Sequence, residues 1–296
     1  MDYGEYKLVP NSKYGFLEIK PTPSAEVITK FYADEFYTGE YKKFNNSDLK
    51  VQLEDKDFYD GKWNDIYENL KDLKKKDISG TDLLDIGCGW AQALLFFKKK
   101  GLNCYGFDPA KEAVDYAKKM KLNVVHSGVT EIDAFNGKKF DIITLFNVFE
   151  HLANPIDVLN KIKKILNSNG LLVIDVPNEF NLFQTAGRDA NNLKDWWVSP
   201  PTHLNYFSAE TLIKLLEGEG FKVNNAESSF PLEMFLLFGD NYVNDPKIGR
   251  ICHKKRTSFE INLRKQGKSK ELRKFYQTLA KINLGRQITV FASKLD

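Results

Sequence analysis

Short apolar runs alternate with amphipathic segments between residues 81 and 177. The apolar runs read TDLLDIG, LNCYGFD, LNVVHSG, FDIITLFN and GLLVIDVP, and the segments between them include AQALLFFKKKG, AKEAVDYAKKM and PIDVLNKIKKILNSNG. Strands that alternate with helices of about ten residues predict βαβ units and a parallel sheet. Gly101 and Gly170 stand where a glycine commonly ends a helix. The sequence therefore predicts an α/β fold with a doubly wound sheet.

The segments on either side of residues 81–177 lack this regular alternation of strands and helices. An aromatic helix is expected over 21–45, with Ser24 as its N-cap, and a second helix near 62–76. The stretch SAETLIKLLEGEGF predicts a capped helix, FKVNNAES a strand and GRQITVFASKL a last strand. We therefore expect four parts: an N-terminal helical cap over the cleft (1–76), a core with a substrate loop at 178–207 (77–230), a mostly helical basic insertion (231–285) and the final strand of the core (286–296).

Composition excludes several classes of protein. The chain has 296 residues and a net charge of +3, which is too small to indicate nucleic-acid or membrane binding. Its three cysteines form no close pair, so neither a disulfide framework nor a zinc pattern is expected. The polar start MDYGEYKLVP is unlike a signal peptide, and no apolar run approaches the roughly 20 residues of a spanning helix. A cytoplasmic location is the expectation.

The stretch LLDIGCGWAQA, residues 83–93, joins the first predicted strand of this pattern to a helix through Gly87 and Gly89. Such a turn lets backbone N–H groups and a helix N-terminus approach a ligand. The next predicted strand ends at Asp108, 19 residues beyond Gly89. A carboxylate at that place can accept hydrogen bonds from both ribose hydroxyls of an adenosine-type cofactor.

Two adenosine-type cofactors compete for this turn. A dinucleotide site requires a third glycine, but Gln92 stands where the motif would place it. Asp85, two residues before Gly87, would repel a pyrophosphate and suits the ammonium of an amino acid. S-adenosylmethionine (SAM) carries an ammonium, a sulfonium and a ribose. SAM is therefore the expected cofactor, with S-adenosylhomocysteine (SAH) as its product, and a nicotinamide dehydrogenase is disfavoured.

Several motifs resemble those of class I SAM-dependent methyltransferases. FDIITLFNVFEHLANP, GFDP and NSNGLLVIDVPN resemble their fourth, second and fifth strands, and GRQITVFASK resembles their antiparallel last strand. The segments YGFLEIKPTPSAEVITKFYADEFYTGEY and PPTHLNYFSAETLIKLLEGEGF resemble a UbiG-like bacterial subgroup associated with surface-polysaccharide and sugar modification. The resemblance implies a Rossmann-like seven-stranded sheet with an antiparallel last strand. One departure is Ala91, which stands where the family often has a third glycine.

The resemblance also assigns residues to the cofactor. It places Asp85 at the methionine end of SAM, Gly87 and Gly89 at a close backbone approach and Asp108 at the ribose. The remaining cofactor-binding candidates are Pro109, Val129, Thr130 and Asn147, with Tyr14 and Tyr37 as a lid. The family frequently has an acidic residue at the position of Thr130. The aromatic residues of the lid can equally belong to a helical core stripe.

His151 and His203 are the candidate catalytic residues. An unperturbed histidine pKa near 6.5 suits the removal of a proton from an acceptor hydroxyl. His203 lies in a loop after the fifth strand, whereas His151 follows Glu150 at a helix start; either one can instead be a satisfied structural histidine. A single Glu-His pair does not indicate a metal site, so none is expected. Further candidates for the substrate pocket are Trp196, Trp197, Asn178 and Tyr206.

These assignments predict a methyltransferase that acts on a hydroxyl of a small polar molecule. The expected acceptor is a sugar, sugar nucleotide or phosphorylated precursor of surface polysaccharide. N-methylation of an amino sugar, O-methylation of a quinone or small aromatic, and a non-catalytic SAM-binding partner module stay open. The basic tract 253–274 either forms a solvated helix face or attracts an anionic acceptor. A homodimer is a further expectation, and no nucleic-acid partner is expected.

Overall fold

A computed structural model describes residues 5–24, 27, 49–132 and 134–295. Its strands are β1 (Lys7–Pro10), β2 (Leu17–Lys20), β3 (Asp82–Ile86), β4 (Asn103–Asp108), β5 (Asn123–His126), β6 (Phe140–Phe146), β7 (Leu166–Pro177), β8 (Asn205–Tyr206), β9 (Phe221–Ser228) and β10 (Gln287–Lys294). Its α-helices are α1 (Leu49–Glu54), α2 (Lys56–Lys74), α3 (Gln92–Lys99), α4 (Lys111–Lys119), α5 (Pro155–Ile165), α6 (Leu182–Ala190), α7 (Ala209–Gly218), α8 (Met234–Leu237), α9 (Pro246–Lys265) and α10 (Ser269–Lys281).

Seven strands form the central sheet in the order β5-β4-β3-β6-β7-β10-β9. The strands from β5 to β7 in this order are parallel, and β10 is antiparallel to both β7 and β9. Asp85 lies opposite Gly106 of β4 and Thr144 of β6, which brings the ends of these three strands to one edge. The predicted α/β sheet with an antiparallel last strand is confirmed.

Apolar side chains are buried on both faces of the sheet. On one face, α5 and α7 pack through residues such as Leu159, Ile162 and Leu215. On the other face, α2, α3 and α4 supply a second core that includes Leu70 and Phe97. Because both faces are covered, the carboxyl edge of the parallel strands is the side of the sheet that remains for a ligand.

The boundaries predicted from glycines are partly confirmed. Gly101 has a φ of +89° just after α3, as expected of a glycine that ends a helix. The prediction for Gly170 is wrong, because this residue lies inside β7. The α5 helix already ends at Ile165, since Leu166 is fully buried and pairs with Phe140 as the first residue of β7. The helix Ala209–Gly218 has the expected N-cap, with Ser208 and Thr211 forming a capping box.

A helical cap was predicted over residues 1–76, but the N-terminal part is only partly helical. Residues 7–20 form a hairpin of β1 and β2, which turns at Gly15, and β2 pairs with β8 from the expected substrate loop. Apolar residues alternate along this hairpin, so Leu17 and Ile19 pack on Tyr206. The loop 178–207 also contains α6. The helix expected near 62–76 is present as α2, whereas most of the segment 21–45 lies outside the described residues.

The insertion 231–285 is mostly helical, as predicted, and it packs on α2 through ion pairs. The Arg264 guanidinium lies 2.7 Å from Asp65 of α2 and 2.9 Å from Glu260 of its own helix. The Tyr276 hydroxyl from α10 donates to Glu260 at 2.9 Å. Arg256 lies over the ring of Phe58, 4.8 Å from its centroid. Part of the basic tract is therefore neither a solvated face nor available to an anionic acceptor.

Where the structure describes the chain, no helix combines the length and the apolar character needed to cross a membrane.

Two glycines of the β3 turn allow a matched test of its packing. A Cβ at Gly87 would lie 2.5 Å from Cγ2 of Val148, whereas a Cβ at Gly89 would meet nothing within 4 Å; both residues have positive φ. We expect Gly89→Ala to cost about 1–2 kcal/mol of unfolding free energy from its backbone conformation alone. Gly87→Ala should cost about 2–5 kcal/mol because overpacking is added.

Urea unfolding measures both losses. The double variant Gly87→Ala/Val148→Ala should lose less than the sum of the two single variants, since the clash is removed. Equal losses at the two glycines would contradict this account of the turn.

Candidate active site

The turn after β3 forms a cradle of backbone with several residues in the left-handed conformation. Gly87, Gly89 and Ala91 have φ values of +71°, +48° and +54°. The N–H groups of Gly87 and Cys88 donate to the carbonyl of Phe107 at 2.9 and 3.1 Å, which fixes the turn against β4. Ala91 adopts the left-handed conformation at the place where the family often has glycine. The departure noted in the sequence therefore leaves the shape of the turn intact.

Two buried carboxylates flank this turn. Asp85 is 2% exposed and accepts a hydrogen bond of 2.6 Å from the Thr144 hydroxyl. Burial raises the pKa of Asp85 to about 7, so a nearby cation would favour its ionised form. Asp108 accepts from the N–H groups of Gly89 at 2.7 Å and Ala110 at 2.8 Å. The two carboxylates thus stand at the ends of adjacent strands, with the turn between them.

Asn147 lies at the end of β6, next to this cradle. It has a φ of +53°, its N–H donates to the carbonyl of Asp175 at 2.8 Å, and its Oδ1 accepts from Gln287 at 2.8 Å. Lys62 of α2 completes the group, because its ammonium lies 2.7 Å from Asp175 and 3.2 Å from Gln287 Oε1. The sequence offered no sign of Lys62, whose partner on β7 is distant along the chain.

The other expected cofactor residues do not all lie at the turn after β3. Pro109 is exposed beside Asp108, and Val129 begins a short 3-10 helix, Val129–Glu131, after β5. The side chain of Thr130 and the whole of Tyr37 lie outside the described residues. Tyr14 is buried and donates a hydrogen bond to Glu219, just before β9.

The position of Tyr14 separates it from the cradle. The strand β9 is antiparallel to β10, as β7 is, so β9 runs parallel to β7. The start of β9 therefore lies at the edge of the sheet opposite to Asp85 and Asp108. The structure does not bring Tyr14 together with the other candidates for the cofactor site.

Glu150, His151 and His203 meet beyond the end of β6. Their ligand atoms all lie within 4.8 Å of one another, and the two imidazole rings are 4.9 Å apart in an edge-to-face arrangement. His151 Nδ1 lies 2.7 Å from the carbonyl of Thr202, which directs Nε2 towards Glu150 at 3.7 Å. Both Glu150 oxygens and His203 Nδ1 are buried and find no hydrogen-bond partner in the described ranges of the chain. The two histidines singled out in the sequence thus lie side by side.

Burial changes the protonation of this cluster. It lowers the pKa of His151 to about 4, and together with His151 and Arg286 it holds the pKa of His203 well below its usual range. The expectation of a histidine near its ordinary pKa is therefore wrong, since both imidazoles are neutral at neutral pH. Burial also raises the pKa of Glu150 well above its usual range. A bound hydrogen-bond donor or cation would reverse this last effect.

The same cluster has the donors of a metal site. Two imidazole nitrogens and a carboxylate form a set that divalent transition metals accept. Nδ1–H of His151, bonded to a backbone carbonyl, would hold the ring as the outer hydrogen bonds of metal-binding histidines do. No metal was expected from the sequence, because Glu150 and His151 alone supply too few ligands. His203, brought in by the loop before β8, is the third.

Two of the residues expected in the substrate pocket, Asn178 and Tyr206, make hydrogen bonds that hold the protein's own loops. Asn178 is fully buried and joins Gly285 to the N-terminus of α7 through hydrogen bonds of 3.1 and 3.0 Å. The Tyr206 hydroxyl accepts from Ser199 and donates to the carbonyl of His203, so Tyr206 positions the loop that carries His203.

The two tryptophans lie together on the same loop. Trp197 is 3% exposed and packs edge-to-face on Phe180, with 5.3 Å between ring centroids. Trp196 is partly exposed; its ring lies 4.7 Å from that of Trp197 and 6.4 Å from that of Tyr242. Of the expected substrate residues, Trp196 is therefore the one that keeps an accessible face.

Replacement of Asp108 tests the ribose assignment. Asp108→Ala should raise the dissociation constant for SAM by about 10- to 100-fold, because the ribose and two backbone N–H groups lose a charged acceptor. The control Asp115→Ala removes an exposed carboxylate on α4, paired with Lys111, and should leave the affinity unchanged. Calorimetry that finds equal affinities for the two variants would show that the ribose is held elsewhere.

The raised pKa of Asp85 predicts a pH dependence of SAM binding. The unliganded carboxyl has a pKa of about 7, and the ammonium of SAM favours its ionised form. Binding therefore releases a proton, and affinity should rise as the pH increases from 5 to 7 and level off as Asp85 becomes ionised without ligand. Asp85→Asn should bind more weakly and lose this slope. An equal slope in both proteins would exclude Asp85 as its source.

Comparison with known proteins agrees with this geometry. A family model described as "Methyltransferase domain" matches residues 35–226. A ubiquinone biosynthesis O-methyltransferase of Rickettsia bellii is 24% identical over 168 residues, which cover 54% of this chain and 69% of that protein. A probable (S)-tetrahydroprotoberberine N-methyltransferase 2 of Papaver bracteatum is 30% identical over 145 residues, 45% of this chain and 40% of that one.

The fold is also found among solved structures. The plantazolicin methyltransferase BpumL, in complex with a monoazolic desmethylPZN analog and SAH, superposes with a TM-score of 0.55 at 16% identity. The match covers 91% of this chain and 94% of that one. The surface-polysaccharide subgroup stays a prediction, because these relatives are named for other acceptors. The family match, the cradle between Asp85 and Asp108 and the sheet agree: the chain belongs to the methyltransferase-domain family of class I enzymes and is a SAM-dependent methyltransferase.

Proposed function

We propose that this enzyme transfers the methyl group of SAM to a hydroxyl of a small polar acceptor held beside Glu150, His151 and His203. The observation that carries the proposal is the set of buried polar atoms without partners in this cluster, two on Glu150 and one on His203. Such atoms are costly in a folded protein unless a ligand completes them. They lie just beyond Asn147, at the strand end next to the cofactor cradle.

The chemistry that SAM supplies is a sulfonium-activated methyl group, which an in-line nucleophile displaces. The protein contributes binding and orientation. Asp85 and Asp108 fix the two ends of the cofactor, while Asn147, held by Gln287, marks the edge between the cofactor and the acceptor. Alignment of the two reactants removes up to about 7–11 kcal/mol of the barrier in favourable systems.

The neutral imidazoles suit an oxygen nucleophile. As the new C–O bond forms, the hydroxyl proton becomes strongly acidic, so a weak base that is already neutral can accept it. His203 has one buried nitrogen, Nδ1, without a partner, and the Tyr206 hydroxyl holds its backbone carbonyl at 3.1 Å. His151 is committed on one side to Thr202. We therefore assign the proton-accepting role to His203 and a positioning role to His151.

A divalent cation on the same three side chains would lower the pKa of a hydroxyl bound to it. In that case Glu150 supplies the negative charge, and His151 and His203 supply neutral nitrogen ligands. The donor set fits such an ion because the Glu150 oxygens and His203 Nδ1 have no hydrogen-bond partner among the described residues. Turnover measured with and without added Zn²⁺ or Mg²⁺ distinguishes proton transfer to His203 from activation of the hydroxyl by a bound cation.

The identity of the acceptor is the finer part of the proposal. The motifs of the sequence favour a sugar, sugar nucleotide or phosphorylated precursor in surface-polysaccharide biosynthesis. The relatives named for ubiquinone biosynthesis support an aromatic hydroxyl as the alternative. A screen for SAH release with nucleotide sugars, capsule precursors and dihydroxy aromatics tests both, and release with simple amines instead of hydroxyl compounds would favour N-methylation.

His203→Ala should lower turnover on the hydroxyl acceptor by about 10²–10⁴-fold while SAM affinity stays nearly unchanged. The control His253→Ala removes a histidine on α9 that pairs with Asp55, and it should retain the rate. Because burial holds the His203 pKa well below its usual range, the wild-type rate should show no loss from His203 protonation between pH 7 and pH 6. A full loss in His151→Ala, with His203→Ala active, would reverse the two roles.

A further inference from the structure

A second group of polar side chains, two of them buried carboxylates, lies beyond the end of β7 and the start of β10. Glu179 follows β7, Arg286 precedes β10, Glu233 precedes α8, and Tyr242 lies in the loop before α9; Arg286 and Tyr242 are half-buried. Glu179 is 3% exposed and Glu233 is fully buried. Neither the sequence motifs nor the proposed reaction uses these residues.

When both carboxylates are ionised, the charges within this group do not balance. Arg286 Nη1 lies 3.3 Å from Glu233 Oε1 and 3.9 Å from Glu179 Oε2. Among the described residues, both carboxylates form their ion pairs with Arg286 alone. Two buried carboxylates thus share one guanidinium. An excess of negative charge away from water is unfavourable unless another cation joins it.

Within the part of the chain that the structure describes, three polar atoms of the group also have no hydrogen-bond partner. They are Oε1 of Glu179, Oε2 of Glu233 and the hydroxyl of Tyr242. The other oxygen of Glu179 accepts from Gln184 at 2.8 Å, so this side chain is held while Oε1 remains free. Two of the three atoms can only accept when the carboxylates are ionised. A ligand that supplies hydrogen-bond donors would complete these atoms.

Aromatic rings form part of the surroundings. The ring of Trp196 lies edge-to-face with that of Tyr242, 6.4 Å between centroids, and Trp196 is partly exposed. Rings beside carboxylates are well suited to cations, because the faces of Trp and Tyr attract positive charge. Arg286 is also close enough to His203 to lower the pKa of that histidine. The group is thus a neighbour of the cluster that carries the reaction.

We propose that Glu179, Glu233 and Tyr242 form a subsite for a positively charged N–H group, an ammonium or guanidinium, on the methyl acceptor. This inference rests on the proposed function and deepens it, since it assigns a chemical class to the second end of the acceptor. The cationic group is an anchor and not the nucleophile, because an ammonium held between carboxylates has no free lone pair. The subsite disfavours an acceptor with a phosphate or carboxylate at this end, contrary to the expectation of an anionic molecule.

Two series of probes that differ in charge test the subsite without requiring turnover. The first is dopamine, 4-ethylcatechol and 3,4-dihydroxyphenylacetate; the second is D-glucosamine, D-glucose and D-glucuronate. Binding to the SAH-loaded enzyme is measured by ligand-observed NMR. We expect the cation to bind at least about tenfold more tightly than the neutral probe on at least one scaffold, and the anion most weakly.

Glu233→Gln and Glu179→Gln should remove most of the preference for the cation. Tyr242→Phe deletes one hydroxyl and should weaken the cation alone by several-fold, which provides a variant with little effect on folding. The matched control Glu217→Gln removes an exposed carboxylate on α7 and should keep the preference. SAH affinity, measured for each variant, reports that the fold is intact.

Equal binding of the three charges on both scaffolds, including no detectable binding of any probe, would overturn the proposal. So would a preference for the anion, or a preference for the cation that survives Glu233→Gln and Glu179→Gln. If D-glucose binds as tightly as D-glucosamine and both weaken in Glu233→Gln, the subsite reads neutral polyols instead. A charge preference without methyl transfer to any hydroxyl would leave the subsite standing and contradict the proposed function.

Discussion

The contact between the backbone of Gly87 and the side chain of Val148 determines where both halves of the site lie. Val148 follows β6, and a single methyl group at Gly87 would collide with it at 2.5 Å. On the Gly87 side, the turn continues to Gly89, whose N–H bonds to Asp108. On the Val148 side, the chain continues to Glu150 and His151. Cofactor cradle and acceptor cluster are therefore joined at one point of close packing.

The cofactor half could be predicted from the sequence because its residues follow local rules. Strand ends, glycines with positive φ and a carboxylate after the next strand occur at fixed short spacings, so the turn and the strand-end positions of Asp85 and Asp108 could be located from the sequence, while their roles toward the cofactor stay a prediction. The same rule of spacing failed at Gly170, where pairing of Leu166 with Phe140 ended the helix early. Tertiary pairing in this case overrode a local signal.

The acceptor half could be predicted only in part, because it is assembled from segments far apart in the chain. His203 reaches Glu150 through the loop before β8, and Arg286 reaches Glu233 from a different connection. Lys62 meets Asp175 across a helix-to-sheet interface that no periodicity reveals. Individual residue types still indicated chemistry, since both histidines were recognised. Their neutral state was not, because burial and not sequence sets the pKa.

The last strand of the sheet has a consequence for how the polypeptide folds as it is made. Residues 287–294 do not extend the sheet at its margin but fill a slot between β7 and β9. Until these residues have left the ribosome, β7 and β9 each present an unpaired edge, and the fully buried Val290 and Phe291 are missing from the core. The insertion 231–285 lengthens that interval. Before β10 is in place, β7 therefore lacks a partner on one side and β9 has none in the sheet, and exposed strand edges of this kind are the templates from which chaperones protect growing chains.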